Sequence, residues 1–171
     1  MKKTSEKLFH AFMTLLLIVS VFIPLLKTSY TVKAEELPSN NYTMTTSPTI
    51  NNNRLVDGAK YGEGKFYLNP TYKFDDSATL KNGDFMVYKV PKEFKVERDI
   101  TTDIYAKDGA TKIAELQTNA ATNSATVTIT NEEYFKNLTE DRELTALFTV
   151  VWADDVELNK EYSIDIPGAG T

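Results

Sequence analysis

Ala125-Thr126-Val127-Thr128-Ile129-Thr130 alternates apolar and polar residues without a break, the period of a strand with one buried face. The run before it, Thr118-Asn119-Ala120-Ala121-Thr122-Asn123-Ser124, is polar and small and reads as a turn. After it comes Asn131-Glu132-Glu133-Tyr134-Phe135-Lys136-Asn137-Leu138, the one helical candidate, with Asn131 as N-cap and two acids in the first turn.

Working outward, the same period recurs. Leu144, Ala146, Phe148, Val150 and Trp152 fall on one side of the next apolar run, and Leu147 and Val151 on the other, which predicts a central strand buried on both faces. Tyr162-Ser163-Ile164-Asp165-Ile166 alternates again before Pro167-Gly168. Upstream, weaker strands are expected at 112–117 and 100–106, joined by a Lys107-Asp108-Gly109 turn. Asn82-Gly83 turns the chain into Asp84-Phe85-Met86-Val87-Tyr88-Lys89-Val90, which Pro91 ends. In residues 65–74, Phe66, Leu68, Tyr72 and Phe74 share a face opposite Lys65, Asn69, Thr71 and Lys73. Tyr67 stands as the exception on that polar face. Pro70 cannot donate to a ladder, so this strand is expected at a sheet edge or bulged there. Short strands at such spacing, with at most one short helical turn, predict an all-β, Ig-like antiparallel β-sandwich over residues 54–167.

Residues 35–53 are dominated by Thr, Asn, Ser and Pro and are expected to form a disordered leader. Before them stand Lys2, Lys3 and Lys7, an apolar run over 11–26 broken by Pro24, and Val32-Lys33-Ala34. A basic start, a short apolar stretch and a terminal small residue predict a secretory signal peptide, 1–34, cleaved between Ala34 and Glu35. The membrane then enters only through that segment before cleavage.

The chain has 171 residues, 19 Lys+Arg against 24 Asp+Glu, one His and no Cys, for a net charge of −5. Residues 1–34 hold five lysines, one glutamate and the only histidine, so the exported part carries −9 and neither His nor Cys. That composition excludes disulfides, the Ser-His-Asp and Cys-His nucleophile systems and ordinary zinc sites. The acidic balance argues against a nucleic-acid partner.

Carboxylates could still act as acid and base, and acidic pairs occur at Asp75-Asp76, Glu132-Glu133, Glu140-Asp141 and Asp154-Asp155. Glycoside hydrolysis needs two carboxyls converging at roughly 5–9 Å, whereas these pairs fall at predicted turns, where acids cap and solvate. No EF-hand spacing is present. The expectation is therefore no enzyme, no catalytic residue, no metal and no cofactor. Of the strand aromatics Tyr61, Tyr67, Tyr72, Tyr88, Tyr105 and Tyr162, Tyr67 is the candidate binding residue. Lys73 and Lys89 are read as solvated strand lysines, without an isopeptide crosslink.

The stretch Leu80–Pro91, the Ala125–Thr130 strand, the polar turn through Leu138 and the run 144–152 together resemble the first Ig-like ligand-binding subdomain of the collagen- and fibrinogen-binding surface adhesins of Gram-positive bacteria. The resemblance covers residues 54–171. It implies a cell-surface or secreted module that binds a host extracellular-matrix protein, of the collagen or fibrinogen class, together with a second Ig-like domain. In such adhesins the two subdomains trap an extended ligand between them, a linker closes over it, and a terminal strand latches back. Residues 168–171 correspond to the start of the interdomain linker, and the second domain, the stalk and the wall anchor are expected to lie outside this chain. The alternative expectation is a structural spacer or pilin-like module without its own ligand.

Overall fold

The computed structural model describes residues 34–138, 140–157 and 159–169. The predicted signal peptide lies outside the described residues except for Ala34. The alternation around residue 127 forms the strand expected of it. Lys112–Asn119 (β9) and Ser124–Ile129 (β10) pair antiparallel, Val127 opposite Leu116, with Ala125, Val127 and Ile129 fully buried. Phe85–Lys89 (β6) lies on the other side of β10, and Ile100–Tyr105 (β8) beyond β9, giving a four-stranded sheet in the order β6-β10-β9-β8. The Asn82-Gly83 turn is formed, with Gly83 at φ +93°, a conformation that glycine adopts without a Cβ penalty. Glu132–Lys136 is a short helix (α1), and the Asn131 side chain accepts from the Tyr134 backbone N–H as an N-cap should. Asn82 and Glu132 exchange side-chain-to-backbone bonds at 2.9 Å in both directions, tying α1 to the turn before β6.

The other layer departs from expectation in four places. First, residues 35–53 are not a disordered leader. Tyr42–Thr46 (β1), Thr49–Ile50 (β2) and Asn53–Arg54 (β3) are strands, and Leu37 is 6% exposed. The cause is sparse anchoring: Leu37, Tyr42, Met44 and Ile50 pack on or within the core, while the intervening threonines are good strand formers. The folded unit therefore begins well before residue 54.

Second, residues 65–74 form two strands, Phe66–Leu68 (β4) and Pro70–Phe74 (β5), and neither is an edge. β5 lies between β1 and Glu143–Thr145 (β11) in a three-stranded sheet. β4 lies within a five-stranded sheet of order β3-β2-β4-β12-β7, where Phe94–Lys95 is β7 and Phe148–Trp152 is β12. Pro70 marks the point where the chain changes sheet.

Third, the run 144–152 is likewise two strands, β11 and β12, and Leu147 is 53% exposed rather than buried. The break matches the one at Pro70, because β5 pairs with β11 and β4 with β12. The Ala146 N–H donates to the Pro70 carbonyl at the shared corner. Corners made by strands that switch sheets are a standard way to close a sandwich. Fourth, residues 162–166 form no extended strand, and only Ile166 makes a bridge.

The core fills the space between these layers. Tyr88 of the four-stranded sheet meets Phe148 edge-on at 5.5 Å, and Phe74 meets Phe135 of α1 at 5.5 Å. Arg142, buried, donates from its guanidinium to the carbonyls of Asp75, Asp76 and Ala78 and holds the loop after β5. Asn123 bonds the Val96 N–H and the Phe94 carbonyl, fastening β7 to the β9–β10 turn.

Residues near both ends of the described segment are strapped to sheet edges. Phe85 N–H donates to the Glu35 carbonyl and Leu37 N–H to the Phe85 carbonyl, a short parallel bridge on the outer side of β6. At the other end, Thr46 donates from its backbone to the Gly168 carbonyl and from its hydroxyl to the Pro167 carbonyl. Gly168 has φ +80°, and a Cβ there would lie 3.0 Å from the Met44 carbonyl oxygen, so only glycine fits.

Candidate functional site

Tyr67 sits in the middle of β4, and the inward neighbours Phe66 and Leu68 are fully buried, which forces Tyr67 to the outer face. Its cross-strand partners are Thr49 on β2 and Thr149 on β12, so a half-buried tyrosine ring is flanked by a threonine on each side. Arg54 extends the row as the partner of Thr49. Along β12 the same face carries Val151, paired with Lys95 of β7, and just before the strand stands the exposed Leu147. Lys65 and Lys95 border this face, the first 3.2 Å from Glu97 and the second bonded to Asp154. The Asn69 side-chain amide donates to the Ser47 carbonyl and closes the corner end. The result is an outward strip of one aromatic, two aliphatic and two threonine side chains with cations at its borders, on a chain of net negative charge.

The other tyrosines serve different ends. Tyr72 and Tyr88 are core residues, 0% and 1% exposed. Burial raises both phenols, Tyr88 to about 12, and the Tyr88 hydroxyl donates to the Pro167 carbonyl at 3.4 Å. Tyr72 is raised further by burial and by its neighbours Tyr42 and Tyr88. Tyr61 stacks edge-on to Phe66 at 6.4 Å, and its hydroxyl accepts from the Val56 N–H. The Tyr162 hydroxyl accepts from the Glu157 N–H, and Tyr105 is exposed on β8. Lys73 and Lys89 are exposed.

The acidic pairs stand apart from one another at turns. Asp75 accepts from the Ser77 hydroxyl and backbone N–H, and these bonds hold its carboxyl below the usual range. Glu132 and Glu133 occupy the first turn of α1, Asp141 lies 3.6 Å from the Lys107 ammonium, and Asp154 engages Lys95. Among the described residues no group of three or more His, Cys, Asp or Glu side chains converges to hold a metal. Among them, too, no helix is long and apolar enough to cross a membrane. Ala34 and Glu35 are exposed, and Glu35 enters the bridge on β6.

What sequence reasoning missed is the company Tyr67 keeps. The sequence pattern puts Leu147 and Val151 on a buried second face and Thr49 in a disordered leader. The one sequence signal that bears on Leu147 and Val151 is Pro70, whose break in residues 65–74 is matched by a break at residues 146–147 in the partner strands.

Antiparallel sheets packed across an aromatic core, with one short helix before the last strands, define an Ig-like β-sandwich. A family model, described as bacterial Ig domain, matches residues 61–161. The chain belongs to the bacterial Ig domain family. Among curated proteins, none matches the sequence.

Proposed function

We propose that this chain is an exported, non-enzymatic surface module that contributes one wall of a binding site for a host extracellular-matrix protein of the collagen or fibrinogen class, acting with a second Ig-like domain outside this chain. The observation that supports the reading is the strip on the five-stranded sheet, where Tyr67 stands between Thr49 and Thr149 with Leu147 and Val151 beside it. An extended proline-rich chain offers rigid apolar ridges with outward carbonyls. An aromatic ring flanked by hydroxyls complements both. Family membership supports the coarser part, since Ig-like modules of this kind are common on bacterial surfaces.

A spacer module without a ligand is the second reading. It is favoured by the clasp of Pro167 and Gly168 on β1, which makes the C-terminal segment a firm continuation of the domain.

Binding to immobilised collagen and fibrinogen separates the two. The chain joined to the domain encoded after it should bind saturably, and Tyr67→Ala should weaken binding roughly tenfold, the size expected for loss of an aromatic anchor. Unchanged affinity in both Tyr67→Ala and Leu147→Ser removes this face from consideration. Absence of binding by the two-domain protein favours the spacer.

A further inference from the structure

The sheet edges of this domain are unequally protected. The outer side of β6 carries the Glu35–Leu37 bridge, and that of β1 carries the bond to Gly168. β3 and β7 have two residues each and β11 has three, too short to template a partner. β8 is different: it has six residues, Ile-Thr-Thr-Asp-Ile-Tyr, with no proline and no lysine. Among the described residues no backbone group bonds to its outer side.

The backbone alternation identifies which groups are free. Ile100 N–H points at β9, donating to the Thr118 hydroxyl, and Ala106 N–H points the same way, to the Thr111 carbonyl. With a period of two, Thr102 and Ile104 also face β9, and the N–H and C=O groups of Thr101 and Asp103 face outward. We propose that β8 is a self-pairing edge, through which two copies of this chain join antiparallel with Thr101 of each opposite Asp103 of the other and the two Thr102 residues on the twofold axis.

The register follows from charge. A twofold axis perpendicular to the sheet keeps both inner faces on one side, so only registers that pair outward residues with outward residues are allowed. Shifting the pairing by two residues one way sets Asp103 against Asp103, and the other way sets Asp103 against Asp99. Like charges directly opposite are unfavourable. Of these three registers, which keep the strands overlapped over most of their length, only the one with Thr101 against Asp103 avoids both. There the Thr101 hydroxyl can donate to a carboxylate already held by Lys112 at 2.6 Å, and Ile100 lies across from Ile104.

Pairing along one strand buries much less than the roughly 800 Å² per partner of a stable complex, so a dissociation constant of about 0.1–1 mM is expected in free solution. At the crowded density of a surface layer, the same contact would be populated.

The test uses the chain recovered from an exporting bacterial host, followed by backbone amide shifts and sedimentation over a concentration series. The expected result is a dimer with concentration-dependent shifts centred on the Thr101 and Asp103 amides. Thr101→Lys, which puts an ammonium opposite Asp103, should tighten it about threefold to tenfold, and Thr101→Asp should loosen it by a similar factor. Both positions are exposed, and neither substitution touches the core. A monomer at millimolar concentration, shifts centred on another edge, or equal effects of the two substitutions would each overturn the proposal. So would displacement of the partner copy by a strand from the following domain, which would make β8 the seat of an intramolecular latch.

Discussion

The four-stranded sheet and the bent layer facing it are built on opposite plans. In β6-β10-β9-β8 the strands are five to eight residues long, β8, β9 and β10 follow one another through short connections, and the one irregularity in the ladders is the register shift between β8 and β9 at Ile104 and Tyr105. In the bent layer no strand exceeds five residues, partners other than β2 and β3 lie well apart in sequence, and two strand pairs break together where Pro70 meets Ala146. The first plan stores its stability in local ladders. The second depends on long-range fasteners, namely Leu37, Thr46, Arg142 and Asn123, whose removal affects several short strands at once.

The most severe way to break this contrast is to start the chain at Ser47. Loss of Leu37 and β1 uncovers Tyr72 and Phe74 and strips one side of β5, so circular dichroism should show no cooperative thermal transition. A truncated protein that melts like the parent would restore the leader to the status of a tail. Next in size is Arg142→Ala. It leaves three carbonyls of the loop after β5 without their donor and should cost about 3–5 kcal/mol in urea unfolding.

Alkaline pH probes the junction between the layers. Burial keeps Tyr72 and Tyr88 neutral, with pKa values above the ordinary 10.0. The unfolded chain releases these protons first, so the stability they represent is complete below pH 10 and is lost as pH rises toward the folded values. The melting temperature should therefore fall by ~5 °C per pH unit above pH 10. Phenolate absorbance from these two residues should appear only with unfolding. Ionisation of all tyrosines before the transition would contradict their burial. The smallest effect belongs to the regular region: Asn131→Ala removes one helix cap and should cost about 1 kcal/mol, without altering the bent layer.

The same contrast explains what was legible in the sequence. β10 and β6 announce themselves because each has one wet and one dry face, whereas β9 and β8 read more weakly and are marked chiefly by the turns that bound them. Gly83 and Gly109 both adopt positive φ where Asn82-Gly83 and Asp108-Gly109 predict turns. Asn131 was legible as a cap because the acids after it repeat a local rule. The bent layer was not legible in this way. Its alternation runs unbroken through residues 66–74, with every even position buried, so nothing in the pattern signals a change of sheet except Pro70 itself. β1 hides because its apolar residues are only Tyr42 and Met44 among threonines, and its chief fastener, Thr46, bonds a residue 121 positions away. Tyr67 could be selected from its position on a polar face. Its neighbours required knowledge of pairing, which periodicity does not encode.

The fastening of Thr46 to Pro167 and Gly168 also decides how tension enters the molecule. A pull on the C-terminal segment reaches the few bonds at Thr46 before it reaches any ladder. The clasp is thus a fuse that opens at low force, ahead of the ladders. Stretching single molecules of Thr46→Val, which loses the hydroxyl bond to Pro167 but keeps the backbone bond to Gly168, should lower the early yield while leaving the main rupture in place.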